Sequence, residues 1–327
     1  MNSLEQIMSD KLAIPAEAVA NVKILDCTLR DGGAVNASQF STETARAVYD
    51  ACADAHLDYV ELGYKDSSRY YSSAEFGELR FCDEDVIKRI VGDNKRDIKI
   101  AVMADVGKSD FRKAIVRKSQ SLVDMVRVAT YAKDMDKAID IVKFASDMGY
   151  ETAICIMAVS TLSEKELDNA FTQAVESDAD IIYIMDSFGG LTPAGFRNVF
   201  MPCKIASHSR GKRVGVHIHD SIMMAFANTI EAILGGADIV DSSICGLGRG
   251  AGNCRTEMLA QFARKDIRPI LECAEQHIEP MRKYFRWGCE YPYVLTGFAN
   301  VHPSRAIDSV KNGESLCDLN DSLGIFY

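Results

Sequence analysis

Four short stretches of this chain carry residue types that can do chemistry. The first is Asp26-Cys-Thr-Leu-Arg30-Asp31-Gly-Gly, with two carboxylates and a guanidinium within six residues. The second is Val-His217-Ile-His219-Asp, in which two imidazoles stand two residues apart. The third is Gly246-Leu-Gly-Arg-Gly-Ala-Gly252-Asn253, and the fourth is Glu61-Leu-Gly-Tyr64. Residues i and i+2 of a strand share a face, so His217 and His219 point the same way if they lie on one. Two imidazoles with oxygen donors from Asp31 and Asn253 make a mixed nitrogen and oxygen site, suited to Mn2+, Mg2+ or Co2+, with catalytic Zn2+ also compatible. An arginine such as Arg30 beside such an ion suits a reaction that passes through an oxyanion. Making or breaking the C–C bond next to the carbonyl of a 2-oxo acid is one.

The elements that must position these residues read as strands. Eight short β-branched or apolar runs recur: Lys23–Cys27, Asp58–Leu62, Ile98–Met103, Asp124–Ala129, Thr152–Met157, Asp180–Met185, Arg213–His219 and Ala237–Ser242. Amphipathic stretches lie between them, such as 41–55, 134–148, 163–177 and 225–234, and Ser163-x-x-Glu166 is a capping-box signal. Eight β-then-α units predict an α/β fold, a closed (β/α)8 TIM barrel over about residues 22–265. Residues 1–21 read as a helical extension. Residues 266–327 read as further helix followed by an aromatic-rich cap. In such barrels the chemistry sits at the C-terminal strand ends, where the four stretches fall. Closure makes strands 7, 8 and 1 neighbours, which lets His217, His219, Asn253 and Asp31 converge.

Composition narrows the partners. Of 327 residues, 37 are Lys or Arg and 47 Asp or Glu, a net charge of −10. That balance argues against nucleic acid and against anionic lipid surfaces, yet allows one positive pocket for a small anion. No apolar run reaches 18 residues, and the first residues show no secretion leader, so a cytoplasmic protein is expected. Ten scattered cysteines without a CxxC pair fit reduced thiols. Exposed barrel helices suggest a homodimer or a partner-associated subunit.

The combination of Asp26-Cys-Thr-Leu-Arg-Asp-Gly, His217-Ile-His219 and Gly246-Leu-Gly with Gly252-Asn253 resembles the DRE-TIM metallolyases. These include 4-hydroxy-2-oxovalerate aldolase, hydroxymethylglutaryl-CoA lyase and the isopropylmalate and homocitrate synthases. The resemblance implies a TIM barrel with a divalent metal on Asp31, His217 and His219. It also implies Asn253 as a fourth ligand and Arg30 as the enolate stabiliser. It is closest to the aldolase side, whose compact loop matches 246–253. It implies a lyase acting on a 4-hydroxy-2-oxo acid or a related small anionic 2-oxo acid. Two alternatives are a Claisen-type condensation of an acyl-CoA with a 2-oxo acid, and a non-catalytic metal-binding barrel or partner subunit.

One departure from the aldolases stands at Ala34, where they have an acid/base histidine. Its replacement is sought among Asn36, Tyr64, Tyr291, Tyr293 and His302, with Tyr291 and His302 as the catalytic expectations and Asn36 as a substrate binder. Glu61 is expected to orient Arg30 or to act as acid/base. Arg127, inside the fourth strand, needs an anion: a substrate carboxylate or Glu61. Ser187, after the sixth strand, is a candidate substrate contact. The glycine series 246–252 lacks the strand-one context of a dinucleotide fingerprint, so a phosphate cradle is its minor reading. The sixth strand has no lysine for Schiff-base chemistry.

Overall fold

Strand formation follows the eight apolar runs. In the computed structural model, which describes residues 16–324, they become β1 (Lys23–Asp26), β2 (Tyr59–Tyr64), β3 (Lys99–Asp105) and β4 (Met125–Thr130). β5 (Glu151–Ile156), β6 (Ile181–Asp186), β7 (Arg213–Ile218) and β8 (Ile239–Ser242) follow. Every neighbouring pair is parallel, and β8 pairs with β1, closing an eight-stranded barrel. The expected (β/α)8 architecture is therefore present.

Alternation along the strands sorts side chains into two layers. Ile24, Val60, Ile100, Val126, Ile154, Ile182, Val214 and Val240 face outward and pack against the helices. Leu25, Tyr59, Ala101, Met125, Ala153, Ile181 and Ile239 face inward. The Tyr183 ring lies over its register partner on β7, Gly215, where a side chain would meet it at 2.4 Å, so only glycine fits there. The Arg127 guanidinium sits 4.2 Å from the same ring, from where it reaches acidic residues on two other strands.

The outer helices match the amphipathic stretches: Thr42–Asp54, Met135–Asp147, Glu164–Glu176 and Ala225–Leu234. Ser163 and Glu166 form the expected capping box. After the barrel, helix Arg268–Cys273 passes into a wide turn, Ala274–Ile278, and then a tight one, Glu279–Lys283. Pro280 cannot donate a backbone hydrogen bond, which explains why the α-helical ladder does not continue through it.

Three further helices follow among the described residues: Tyr291–Phe298, Ser304–Asn312 and Leu316–Leu323. They are tied to the C-terminal mouth of the barrel. Trp287 Nε1 donates to the Cys245 carbonyl (3.1 Å), and Gly288 N to the Gly250 carbonyl (3.1 Å). The expected N-terminal segment lies mostly outside the described residues; its last part forms helix Ala16–Asn21. No helix among the described residues is long and apolar enough to cross a membrane.

Candidate metal centre and active site

β1 stops at Asp26, whose carboxylate accepts from Thr28 N (2.9 Å) and from the Thr256 hydroxyl (2.6 Å). Burial pushes this carboxyl up to about 6, against those hydrogen bonds. Its bonds turn the chain into the short helix Thr28–Asp31, which carries Arg30 and Asp31 into the mouth. Asp26 thus shapes the site from below.

Asp31, His217 and His219 each offer a ligand atom, and these atoms all lie within 4.8 Å of one another in a buried cluster. Both imidazoles are fixed from behind. His217 Nδ1 stands 3.0 Å from Asp241 Oδ2, and its buried Nε2 has no partner. His219 Nδ1 donates to the Gly252 carbonyl at 3.2 Å. Each ring therefore carries its proton on Nδ1 and presents a bare Nε2, the state a metal requires. Asn253 Nδ2 donates to Asp31 Oδ2 (2.9 Å), leaving the buried Asn253 Oδ1 unpartnered. Gly248 permits this contact: a Cβ there would lie 2.3 Å from Asn253 Nδ2 and 2.5 Å from Asp31 Oδ2. The donor set fits a divalent cation, with no thiolate among the three and a spare amide oxygen beside them.

Electrostatics prepare the ligands. Burial opposes ionisation of Asp31, but Arg30 and the two imidazoles outweigh it and hold the carboxyl well below the usual range. Burial pushes His219 down to about 3, against the pull of Asp31. A folded-state pKa below the unfolded value means the folded form binds fewer protons between those values. Stability is then lost as pH falls from about 6.5 towards 3, by up to about 1.4 kcal/mol per pH unit. Asp26 and Asp186, each raised to about 6 by burial, act with the opposite sign. The isolating comparison is therefore with His219→Gln in chelator-treated protein. Its Tm should fall less steeply than wild type between pH 6.5 and 4; parallel curves would refute the neutral, buried state of His219.

Arg30 is held on two sides. Nε donates to Glu61 Oε2 and Nη1 to Asp31 Oδ1, both at 2.7 Å, while buried Nη2 has no partner. Glu61 Oε2 also accepts from Arg127 Nη1 (2.8 Å), and Arg127 Nη2 donates to Asp241 Oδ2 (2.6 Å). One charged chain thus runs Asp31, Arg30, Glu61, Arg127, Asp241, His217. Of the two anions expected for Arg127 the structure supplies Glu61, and the substrate-contact alternative is corrected: the guanidinium is fully buried, with carboxylates on both sides. Glu61 has the orienting position, gripped by two arginines.

The other expected residues divide. Asn36 is buried, donates to the Gln39 carbonyl (3.1 Å) and leaves Oδ1 unpartnered. Ser187 Oγ accepts from Ala158 N (3.0 Å) at the end of β6. His302 packs edge-on against Phe188, just past the end of β6, 5.4 Å between ring centres. Tyr291 does not join the site. It is 71% exposed, whereas Tyr293 lies against the loop at Gly250. Two site residues escaped the sequence reading. Asp241 could have been found as the lone acid in the apolar run Ile239-Val-Asp-Ser. Arg249 could have been found as the one charged residue in the glycine loop. Its backbone N lies 3.3 Å from Asp31 Oδ2.

Comparison with known proteins bears on this geometry. The family model described as HMGL-like matches residues 21–274, which spans the barrel and all eight strand ends. The chain belongs to the HMGL-like family. Among curated relatives, this HMGL-like chain is 29% identical to the 4-hydroxy-2-oxovalerate aldolase of Thermus thermophilus, over 90% of this chain and 85% of that enzyme. It is 28% identical to 4-hydroxy-2-oxovalerate aldolase 6 of Rhodococcus jostii, over 87% and 81%. The solved N-terminal domain of an aldolase candidate from Bacteroides vulgatus is 28% identical, with a TM-score of 0.77, covering 92% of this chain and 100% of that one. The HMG-CoA lyase of Bacillus subtilis shares the fold at 17% identity and a TM-score of 0.63, over 80% of this chain and 94% of that one.

Proposed function

We propose that this protein is a divalent-metal-dependent carbon–carbon lyase of the aldolase type, cleaving a 4-hydroxy-2-oxo acid to pyruvate and an aldehyde. The observation that carries the reading is the buried triad of ligand atoms set beside a fixed guanidinium whose Nη2 is unpartnered. The names of the curated relatives support the same class. Asp31, His217 and His219 would hold the ion, with Asn253 Oδ1 adjacent; Mn2+ is the ion we favour for this mixed donor set. The ion, when bound, supplies Lewis acidity towards the 2-oxo group.

The chain's own groups do the rest. A base takes the proton of the 4-hydroxyl, the C3–C4 bond breaks, and its electron pair passes into the C2–C3 unit as an enolate. Arg30 Nη2 is the free, immobile donor for the developing oxyanion. C3 then gains a proton to give pyruvate. We assign the proton traffic to His302, which takes over the work of the histidine absent at Ala34. Its Nδ1 is 2.8 Å from Ser304 Oγ, a hydroxyl that can accept or donate. The Ser304 backbone N also donates to Nδ1 (3.1 Å), so the neutral ring carries its proton on Nε2 and meets the substrate there as a donor; taking up the 4-hydroxyl proton at Nε2 requires the Ser304 bonds to Nδ1 to break. Burial and nearby Arg249 push His302 below the usual histidine range, which favours the neutral ring. His302→Gln should lower kcat by roughly 10²- to 10⁴-fold and leave Mn2+ binding intact. A kcat within error of wild type would remove His302 from this role.

Exchange of the pyruvate methyl protons into deuterated water, followed by NMR, tests the proposed function without any aldehyde partner. Exchange is expected with Mn2+-loaded protein and absent after chelation. Folded, Mn2+-loaded protein that exchanges nothing would count against the enolate chemistry.

A further inference from the structure

Arg249 occupies an unusual electrostatic position. Five basic residues of the barrel interior and mouth have a carboxylate partner. Arg30 has Asp31 and Glu61, Lys65 has Glu84, Arg80 has Asp66, Lys108 has Asp105, and Arg127 has Glu61 and Asp241. Among the described residues, no carboxylate lies within salt-bridge distance of the Arg249 guanidinium. Its one hydrogen bond from the side chain is long, Nη2 to the Ser187 carbonyl at 3.4 Å.

That bond fixes where the side chain goes. Arg249 belongs to the loop after β8, and Ser187 follows β6. To span them, the side chain crosses above the end of β7, where His217 and His219 stand. It ends at the Ser187 carbonyl, next in sequence to Phe188, against which His302 packs, and it is partly exposed at the rim. The influence of its charge on both His219 and His302 agrees with this path. A charge-bearing donor group this close to the reaction centre, weakly committed to one neutral carbonyl, is a receptor for an anion.

The C1 carboxylate of a 2-oxo acid does not need it. In the proposed function that carboxylate lies beside the 2-oxo group, at the depth of Asp31 and Arg30. The rim faces the other end of the substrate. We propose that Arg249 binds a second anionic group at the far end of the substrate, so that the substrate class is a 4-hydroxy-2-oxo acid with a distal carboxylate or phosphate-like group. The inference rests on the proposed function and specifies its substrate.

Calorimetric titration of the intact Mn2+-loaded protein tests it with three non-cleavable probes of similar length. These are 2-oxopentanoate, 2-oxoglutarate and 2-oxo-4-phosphonobutanoate. One or both of the anionic-tailed probes should bind roughly 10- to 100-fold tighter than 2-oxopentanoate, the range of one charged hydrogen bond. The tighter of the two identifies the tail as carboxylate or phosphate-like. In Arg249→Gln that ratio should collapse towards one, and Arg249→Lys should restore part of it. Equal affinity for all three probes, or an Arg249→Gln variant that keeps the wild-type ratio, overturns the inference while the proposed function stands. Failure of every 2-oxo acid to bind the loaded protein overturns both.

Discussion

His217→Ala is expected to bind no Mn2+ at concentrations that saturate wild type, and to show only metal-free background activity. The physical reason is that Nε2 is aimed into the cluster by a bond that leaves it no other use: Asp241 holds Nδ1, and Nε2 is buried and unpartnered. Removing one preorganised electrostatic group from an active site costs about 10²–10³ in kcat. Losing the ion removes the strongest such group, so a loss of at least about 10³-fold is expected. Metal analysis and kinetics on the same preparation decide the matter. A variant with full metal stoichiometry would show that His217 is not a ligand. One with no metal but unchanged turnover would separate the site from the reaction.

The second large effect is on stability. Arg127→Met should destabilise the protein by about 3–5 kcal/mol, because it leaves Glu61 and Asp241 as buried charges each short of a partner. Arg127 also has a functional reach that an ordinary core residue lacks. Through Glu61 it steadies Arg30, and through Asp241 it steadies His217. Loss of such supporting contacts to a ligand typically weakens metal binding 10- to 100-fold. Urea unfolding and Mn2+ titration of Arg127→Met are thus expected to shift together. A double variant, Arg127→Met with Asp241→Asn, should recover part of the stability by removing one uncompensated charge, yet leave metal binding weak. Unchanged stability in Arg127→Met would mean that the charged chain from Asp31 to His217 is not a structural unit.

What was legible in the sequence follows from what is local. Strand periodicity is a property of five or six consecutive residues, so all eight strands could be read. The HxH pair is local too, because a two-residue spacing on a strand sets both imidazoles on one face. The partners of a buried charge are not local. Arg127 meets Glu61, 66 residues away, and Asp241, 114 residues away, through barrel closure. Nothing near Arg127 in sequence distinguishes that arrangement from a substrate clamp. Asp241 was hidden for the same reason, since its role depends on how β8 lies beside β7.

The tyrosine after the barrel shows a different limit. Tyr291 and Tyr293 are two residues apart on helix Tyr291–Phe298, which turns their side chains roughly 200° from each other. Composition favours neither, and only the docking of that helix against Gly250 puts Tyr293 inward and Tyr291 in solvent. His302 needed the fold as well: its edge-on contact with Phe188 joins residues from the C-terminal segment and the end of β6.

The central claim is that the Asp31, His217 and His219 cluster holds a divalent ion on which carbon–carbon cleavage depends. The most direct measurement is pyruvate release from 4-hydroxy-2-oxo acids by one protein preparation, as isolated, after chelation, and after titration with Mn2+. Release should vanish on chelation and return in proportion to Mn2+ up to one ion per chain. Release that survives chelation undiminished, or an ion bound at the cluster with no cleavage of any 4-hydroxy-2-oxo acid, would contradict it.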